Sequence, residues 1–357
     1  MRAQGLRRGL LTVLVLCAVA VPSWTLELTE GRLKLVLHEE LGRFSLEYRP
    51  ELDSERYVSL LDTTDPRTSD VRIRDRNDVY RLGSAPRFEM SLERSAGSAA
   101  FVWESGALRI RQSFSFVTSS GARLANGVLI ELSIENRSEV TREVGVRYLF
   151  DTHLAETEQT HFVTETGERI RSETSMTPSP EVTWWASPDA ERDEVGFQQL
   201  VAGDGISRPE RVVFANWKRL SESAYDFTVS TERTFSLLPY SIDDSAAAVY
   251  YAAEQLEPGA TRTITTLVGN LDPDGYEEYS VARTESAELL ERTADTEDEE
   301  AGLDRETARQ ELVSVDDLLD EIDTILSEEE EYDEEDVEVV EEILKQLRNR
   351  KEAYDTQ

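Results

Sequence analysis

Along residues 26–272, apolar and polar side chains alternate in short runs broken by turn residues, the period-two signature of strands with one buried face. Leu33-Lys34-Leu35-Val36-Leu37 is one such run, and Gly42 leads into the next, Phe44-Ser45-Leu46-Glu47-Tyr48. Val71-Arg72-Ile73-Arg74 repeats the pattern, with Asp75-Arg76-Asn77-Asp78 predicted as a hairpin turn before Val79-Tyr80. The clearest strands are residues 108–116 and 127–135, separated by Ser119-Ser120-Gly121; residues 144–150 follow the polar Asn136-Arg137-Ser138-Glu139 turn. No helix-period run longer than about two turns interrupts this stretch, which argues against a nucleotide-binding α/β fold. The pattern predicts a mainly β chain folded as a large antiparallel two-sheet sandwich. Residues 157–219 are less regular, with Pro178, Pro180, Pro188 and Pro209 spread through them. They read as long connections around short strands such as residues 211–215, and long connections are where binding residues concentrate.

The period changes near Leu271-Asp272-Pro273-Asp274-Gly275, and Ser286-Ala287-Glu288-Leu289-Leu290-Glu291-Arg292 reads as helix. Beyond a polar linker, Leu312, Val315, Leu319, Ile322 and Leu326 recur at alternating spacings of three and four, a heptad seam. An acidic break follows, and then a second seam at Val337, Val340, Leu344 and Leu347. Two short amphipathic helices with a turn between them predict an acidic α-helical hairpin. Lys345, Arg348, Arg350 and Lys351 fall in the last turns, where the helix dipole favours positive charge. The predicted organisation is a signal peptide at residues 1–23, a β-sandwich at 24–275, a helix and acidic linker at 276–302, and an acidic helical tail at 303–357.

The signal peptide is read from Arg2, Arg7 and Arg8, the short apolar run from Leu10, and the small residues Ala18 and Ala20, with cleavage there or after Ser23. The apolar run is shorter than the roughly 20 residues a membrane-spanning helix needs, so no integral membrane segment is expected after cleavage. Cys17 is the one cysteine; Leu16 before it makes a poor lipid-attachment site. A periplasmic or extracellular chain cleaved beyond Cys17 has no thiol, which excludes disulfides, cysteine nucleophiles and cysteine-ligated zinc. The formal net charge is −35, and residues 284–357 hold 29 acidic and 7 basic side chains of it. Such a field repels nucleic acid and anionic lipid, so a nucleic-acid role is not expected.

Catalytic signatures are sparse. The chain has no G-x-S-x-G, G-x-x-x-x-G-K or G-x-G-x-x-G motif, and no cofactor or metal site is implied. The only histidines are His38, His153 and His161. His153 and His161, with Asp151, Glu156 and Glu158 near them in sequence, could supply an acid–base pair or hold a divalent metal, although their spacing matches no ligand motif. Trp184 and Trp185 lie between Pro180 and Pro188. Neighbours on a strand point to opposite faces, so one of the pair is expected either at the surface, where its ring could stack on a sugar, or capped by a loop. Asn136-Arg137-Ser138 matches a glycosylation acceptor. The acidic run at residues 328–336 lacks the order of a calcium loop.

Residues 127–136, then Val144-Gly145-Val146-Arg147-Tyr148-Leu149-Phe150-Asp151-Thr152, Asp244-Ser245-Ala246, Leu256-Glu257-Pro258-Gly259 and residues 261–266 together resemble bacterial exported proteins with a galactose-mutarotase-like supersandwich. The resemblance covers about half of the β region and none of the tail. It implies a large sandwich, sometimes able to hold carbohydrate; the paired histidines and glutamate of true mutarotases have no matching set here. Two functions are therefore expected. The first is an exported non-enzymatic binding or scaffold protein of the cell envelope, with the two seams mediating assembly with a protein partner or a second copy. The alternative is a carbohydrate-binding or carbohydrate-modifying sandwich using Trp184, Trp185, His153 and His161.

Overall fold

The computed structural model describes residues 25–281, apart from 53, 62–64, 96–97, 153, 155–160, 240, 274 and 277–278. The signal segment, Cys17, the 276–302 helix and linker beyond Val281, and both seams (Leu312, Val315, Leu319, Ile322, Leu326; Val337, Val340, Leu344, Leu347) lie outside the described residues.

The described chain is mainly β, about half of it strand with one short helix, and its strand pairings are antiparallel. A four-stranded sheet is built in chain order from Thr25–Glu30, Leu33–His38, Arg43–Tyr48 and Val58–Ser59. A six-stranded sheet is ordered Thr174–Met176, Arg211–Asn216, Ser245–Leu256, Arg142–Asp151, Asp70–Asp75, Asp78–Arg81. The ten-stranded sheet runs from Arg169–Ile170 through Phe162–Thr164, Trp184–Pro188, Gly196–Leu200, Thr261–Asn270, Gly127–Asn136, Leu108–Ser119 and Ser98–Glu104 to Glu89–Ser95. Its tenth strand, Tyr279–Val281, pairs with Leu108–Ser119. The expectation of two sheets is thus corrected to three, because the first strands form a sheet of their own against the common core. The sandwich also continues past residue 275: Tyr276 is buried, and Tyr279–Val281 is hydrogen-bonded into the large sheet.

Alternation positions the core. On Gly127–Asn136, Val128, Ile130, Leu132 and Ile134 are all buried, and on Leu108–Ser119 Ile110, Phe114 and Phe116 point the same way. The six-stranded sheet answers with Val144, Val146, Tyr148 and Phe150, and the four-stranded sheet with Leu33, Leu35, Phe44 and Leu46. Rings meet between sheets: Phe44 on Phe114 at 5.2 Å, Phe150 on Phe197 at 5.4 Å and Trp185 on Phe214 at 5.3 Å. Such edge-on and tilted contacts add to the burial of apolar area, which is the main stabilising term. The predicted hairpin turn at residues 75–78 is present, with Arg76 at φ +58°. The turn after the first strand needs a glycine: Gly31 has φ +57°, and a Cβ there would lie 2.4 Å from the Ala125 nitrogen.

Both large sheets are covered on their second faces too. Against the six-stranded sheet pack the short helix Trp217–Glu222 and the segment after it, through Leu149, Val213, Ala215, Leu220, Tyr225, Phe227, Ala246, Ala248 and Tyr250. Asn216 caps that helix, its side chain accepting from the Arg219 N–H. Part of the outer face of the large sheet is closed by Val117, Trp184, Ala186, Leu200, Ile206, Leu267 and Tyr276. Strands buried on both faces read as apolar runs without alternation, as Ser245–Leu256 does.

Candidate functional site

The second face of the six-stranded sheet carries buried charge. Arg72 and Arg147 occupy alternate-face positions on adjacent strands, paired directly across the ladder, and both are buried, Arg147 at 0% exposure. Arg72 reaches the end of the Trp217–Glu222 helix. It donates from Nη2 to the Ser221 carbonyl at 2.7 Å, and from Nη1 to the Ala224 carbonyl at 3.0 Å and to that of Ser223. Its other edge meets Asp70, Nη2 to Oδ2 at 3.2 Å, and Arg81 Nε lies 2.7 Å from the same oxygen. Arg147 donates to Ser223 Oγ at 2.8 Å, the Tyr225 carbonyl at 3.0 Å and the Leu220 carbonyl at 3.1 Å. Helix-terminal carbonyls carry partial negative charge, so they serve these guanidinium groups as diffuse counterions.

Arg43 completes the group from the four-stranded sheet, donating to the carbonyls of Gly42 and Leu82. Burial pulls its pKa down to about 10, against the attraction of Asp70 and with the repulsion of Arg81 and Arg72. It remains a cation at neutral pH. Between Arg43, Asp70, Ser69, Gln112 and Tyr148 lies a cavity of ≈ 10 Å³. That volume suits about one water molecule with polar partners, and falls far short of the few hundred Å³ that enclose a small ligand. The chemistry this cluster can perform is structural: it clamps the helix and its exit to the sheet.

The residues singled out from the sequence are now placed. Trp185 is fully buried, its Nε1 donating to Gln199 Oε1 at 2.8 Å, and Trp184 is 8% exposed in the cluster on the opposite face. Of the two expectations for the pair, the exposed ring is not found and the capped one is: Trp184–Pro188 lies inside the large sheet, which is covered on both faces here. Neither ring can serve as a sugar-stacking platform in this arrangement. His161 is 2% exposed; its Nδ1 lies 2.8 Å from Ser245 Oγ, and its ring is 4.6 Å from that of Phe235. Burial lowers its pKa, and the nearby carboxylate of Asp243 opposes the shift. His161 and Trp185 are brought into one aromatic cluster through Phe162, but as core residues rather than around a cleft. His153, Glu156 and Glu158 lie outside the described residues. His38 is half-buried against Ser45 Oγ at 2.9 Å.

Asn136 is also structural. It is fully buried, donates to the carbonyls of Val140 and Leu256, both at 2.9 Å, and accepts from Ser138 N at 3.0 Å and Ser138 Oγ at 2.7 Å. Its amide is unavailable for a glycan in the folded chain. Among the described residues no group of three or more His, Cys, Asp or Glu side chains could hold a metal ion, and no helix is long and apolar enough to cross a membrane.

Sequence reasoning missed the arginine cluster. Val71-Arg72-Ile73-Arg74 and Val146-Arg147-Tyr148 show the ordinary alternation of a strand with one wet face. Nothing local marks that face as covered by residues that follow about 75 to 150 positions later.

No family model matches the chain, and no curated protein matches it. Solved structures similar to it include proteins described as galactose mutarotase-like and as a putative aldose 1-epimerase. One is a putative aldose 1-epimerase from Escherichia coli K12, with TM-score 0.44, 12% identity, and coverage of 70% of this chain and 99% of that one. Another is a galactose mutarotase-like protein from Lactobacillus casei, with TM-score 0.44, 10% identity, and coverage of 70% and 100%. A third, from Clostridium acetobutylicum, has TM-score 0.38 and 9% identity and covers 69% and 95%. This weak likeness concerns the β-sandwich and bears on neither activity nor ligand.

Proposed function

We propose that the chain is an exported, non-enzymatic binding or scaffold protein of the cell envelope, whose acidic C-terminal seams mediate protein–protein assembly. The observation that supports this reading is the use to which the chemically capable side chains are put. Trp184, Trp185, His161, Asn136, Arg72 and Arg147 are all committed to packing or to hydrogen bonds inside the sandwich. A β-sandwich so consolidated suits a platform, and the apolar seams at 312–326 and 337–347 supply faces that require a partner surface. The test is removal of residues 284–357. The truncated chain should keep its strand signal in circular dichroism and its cooperative unfolding, while its mass in sedimentation and its recovered partners change. A truncated chain that matches the full one in both mass and partners would remove the assembly role.

A further inference from the structure

The terminal strands of the three sheets differ in how far they expose an edge. Arg169–Ile170, Thr174–Met176, Asp78–Arg81 and Val58–Ser59 are four residues or fewer, which leaves little backbone for another chain to pair with. Glu89–Ser95 is seven residues long and ends the ten-stranded sheet, with neither proline nor bulge to blunt it. The direction of its backbone groups follows from the neighbouring hairpin. The Ser105 N–H donates to the Leu108 carbonyl at 2.9 Å. Alternate pairs in both ladders then leave Glu89, Ser91, Glu93 and Ser95 bonded to Ser98–Glu104. Met90, Leu92 and Arg94 turn their N–H and C=O away from the sheet, and no other strand among the described residues pairs with them.

We propose that this edge pairs with the same edge of a second copy of the chain, antiparallel about a two-fold axis at Leu92. The outward-facing set is symmetric about that residue. Leu92 meets the partner's Leu92 and Met90 meets the partner's Arg94, each such pair exchanging two backbone hydrogen bonds. On the exposed face Ser91 lies opposite the partner's Glu93, so no two like charges stand directly opposite each other. The two Glu93 carboxylates, diagonal across the axis, are each already engaged by Arg111 at 3.1 Å and Arg109 at 3.5 Å. On the other face the Arg94 stem covers the partner's Met90, which is half-buried. The six-residue edge Thr25–Glu30 lacks this complementarity. Glu30 and Leu33 flank a two-residue turn, so Thr25, Glu27 and Thr29 face outward, and pairing about Glu27 sets one carboxylate against its copy.

Seven residues a side is small against the roughly 20–30 of a standard interface, so the dimer is reversible and depends on concentration. The contact is isologous, uses both copies of the edge, and closes at two chains. It belongs to the sandwich and is independent of the tail seams.

The test is sedimentation velocity on the full chain at an ionic strength of about 0.15 M, which screens its charge over about 8 Å. The mass should rise from one copy toward two between about 5 and about 500 µM. Ser91→Glu, placed opposite the partner's Glu93, should weaken the dimer on the order of fivefold, and Ser91→Lys should strengthen it by a similar factor. Ser91 is exposed, so neither change should move the unfolding midpoint of the monomer. Oxidative cross-linking in a Cys17→Ser background reads the register. Ser91→Cys combined with Glu93→Cys should link two chains, the paired positions being about 4.5 Å apart; either cysteine alone should not, its own copy lying beyond about 7 Å. A mass fixed at one copy throughout, growth past two copies, or equal links in single and double variants overturns the proposal. So does a dimer indifferent to both Ser91 variants, which would leave self-association to the tail seams.

Discussion

Arg72 and Arg147 sit side by side, each buried, each donating three hydrogen bonds to residues 220–225. A tally of bonds lost would make Arg72→Met and Arg147→Met equally damaging. The acceptors left behind say otherwise. When Arg147 is removed, the Leu220 carbonyl still accepts from Ser223 Oγ at 2.7 Å, and the Tyr225 carbonyl from the Tyr250 hydroxyl at 2.9 Å. No buried carbonyl is stranded, and burying a methionine stem in place of a guanidinium recovers desolvation energy, so the cost should be about 1 kcal/mol. When Arg72 is removed, the carbonyls of Ser221, Ser223 and Ala224 lose the side-chain donor that serves them, and Asp70 keeps its closer partner Arg81 but loses the Arg72 guanidinium. Residues 221 and 223 are half-buried and 224 is exposed, so water can re-solvate part of this set. Each carbonyl then costs at the low end of roughly 1–3 kcal/mol, and with the weakened ion pair the sum is about 3 kcal/mol. Urea unfolding of the two variants measures the difference as a shift in midpoint at constant m-value. Equal losses, or a larger loss for Arg147→Met, would refute the reasoning that stranded acceptors set the cost. Asp70→Asn combined with Arg72→Met should recover part of the loss, because it removes the carboxylate left short of positive charge.

Two further outcomes are expected. His161 and His38 both have pKa values lowered by burial from the ordinary 6.5. Their neutral forms fit the fold, so stability is held above about pH 6.5 and declines as the pH falls below it, where the unfolded chain takes up protons first. His161→Gln should flatten part of that acid limb in urea midpoints measured across the range; an unchanged slope would assign it to other groups. Asn136→Ala leaves the Val140 and Leu256 carbonyls without the amide and frees Ser138, at an expected cost of about 2–3 kcal/mol. Thermal unfolding within experimental error of the parent chain would contradict the bonding described for Asn136.

The parts of the fold that could be read from the sequence are those where one face of a strand is dry and the other wet. Gly127–Asn136 alternates Val128, Ile130, Leu132 and Ile134 with Leu129, Glu131, Ser133 and Glu135, and both its extent and its buried face follow directly. Ser245–Leu256 gave no such signal, because Ala246 to Tyr251 are buried on both sides and a run of alanine with aromatics has no period. The same limit explains the tryptophans. The rule that adjacent strand residues face opposite ways holds: Trp185 points to the main core and Trp184 to the cluster with Tyr276. What the local pattern left open was whether the opposite face meets solvent or is capped, and Ile206 and Tyr276 cap it. Arg72 and Arg147 were hidden for the converse reason, as polar residues on what local pattern presents as the wet face, covered by a helix too short to show a periodicity of its own.

The strand order also has a temporal meaning. Ser245–Leu256 stands between Arg211–Asn216 and Arg142–Asp151, and Thr261–Asn270 between Gly196–Leu200 and Gly127–Asn136. The last long hairpin made is therefore the one that joins the halves of both large sheets. A chain emerging from the ribosome presents two incomplete sheets with unpaired edges until about residue 270 has appeared, and only then can either close. This topology permits no finished sandwich before then, so the nascent β region stays open until its last long hairpin has appeared, a state that a chaperone can hold and that a stop before that hairpin would leave permanently unsealed.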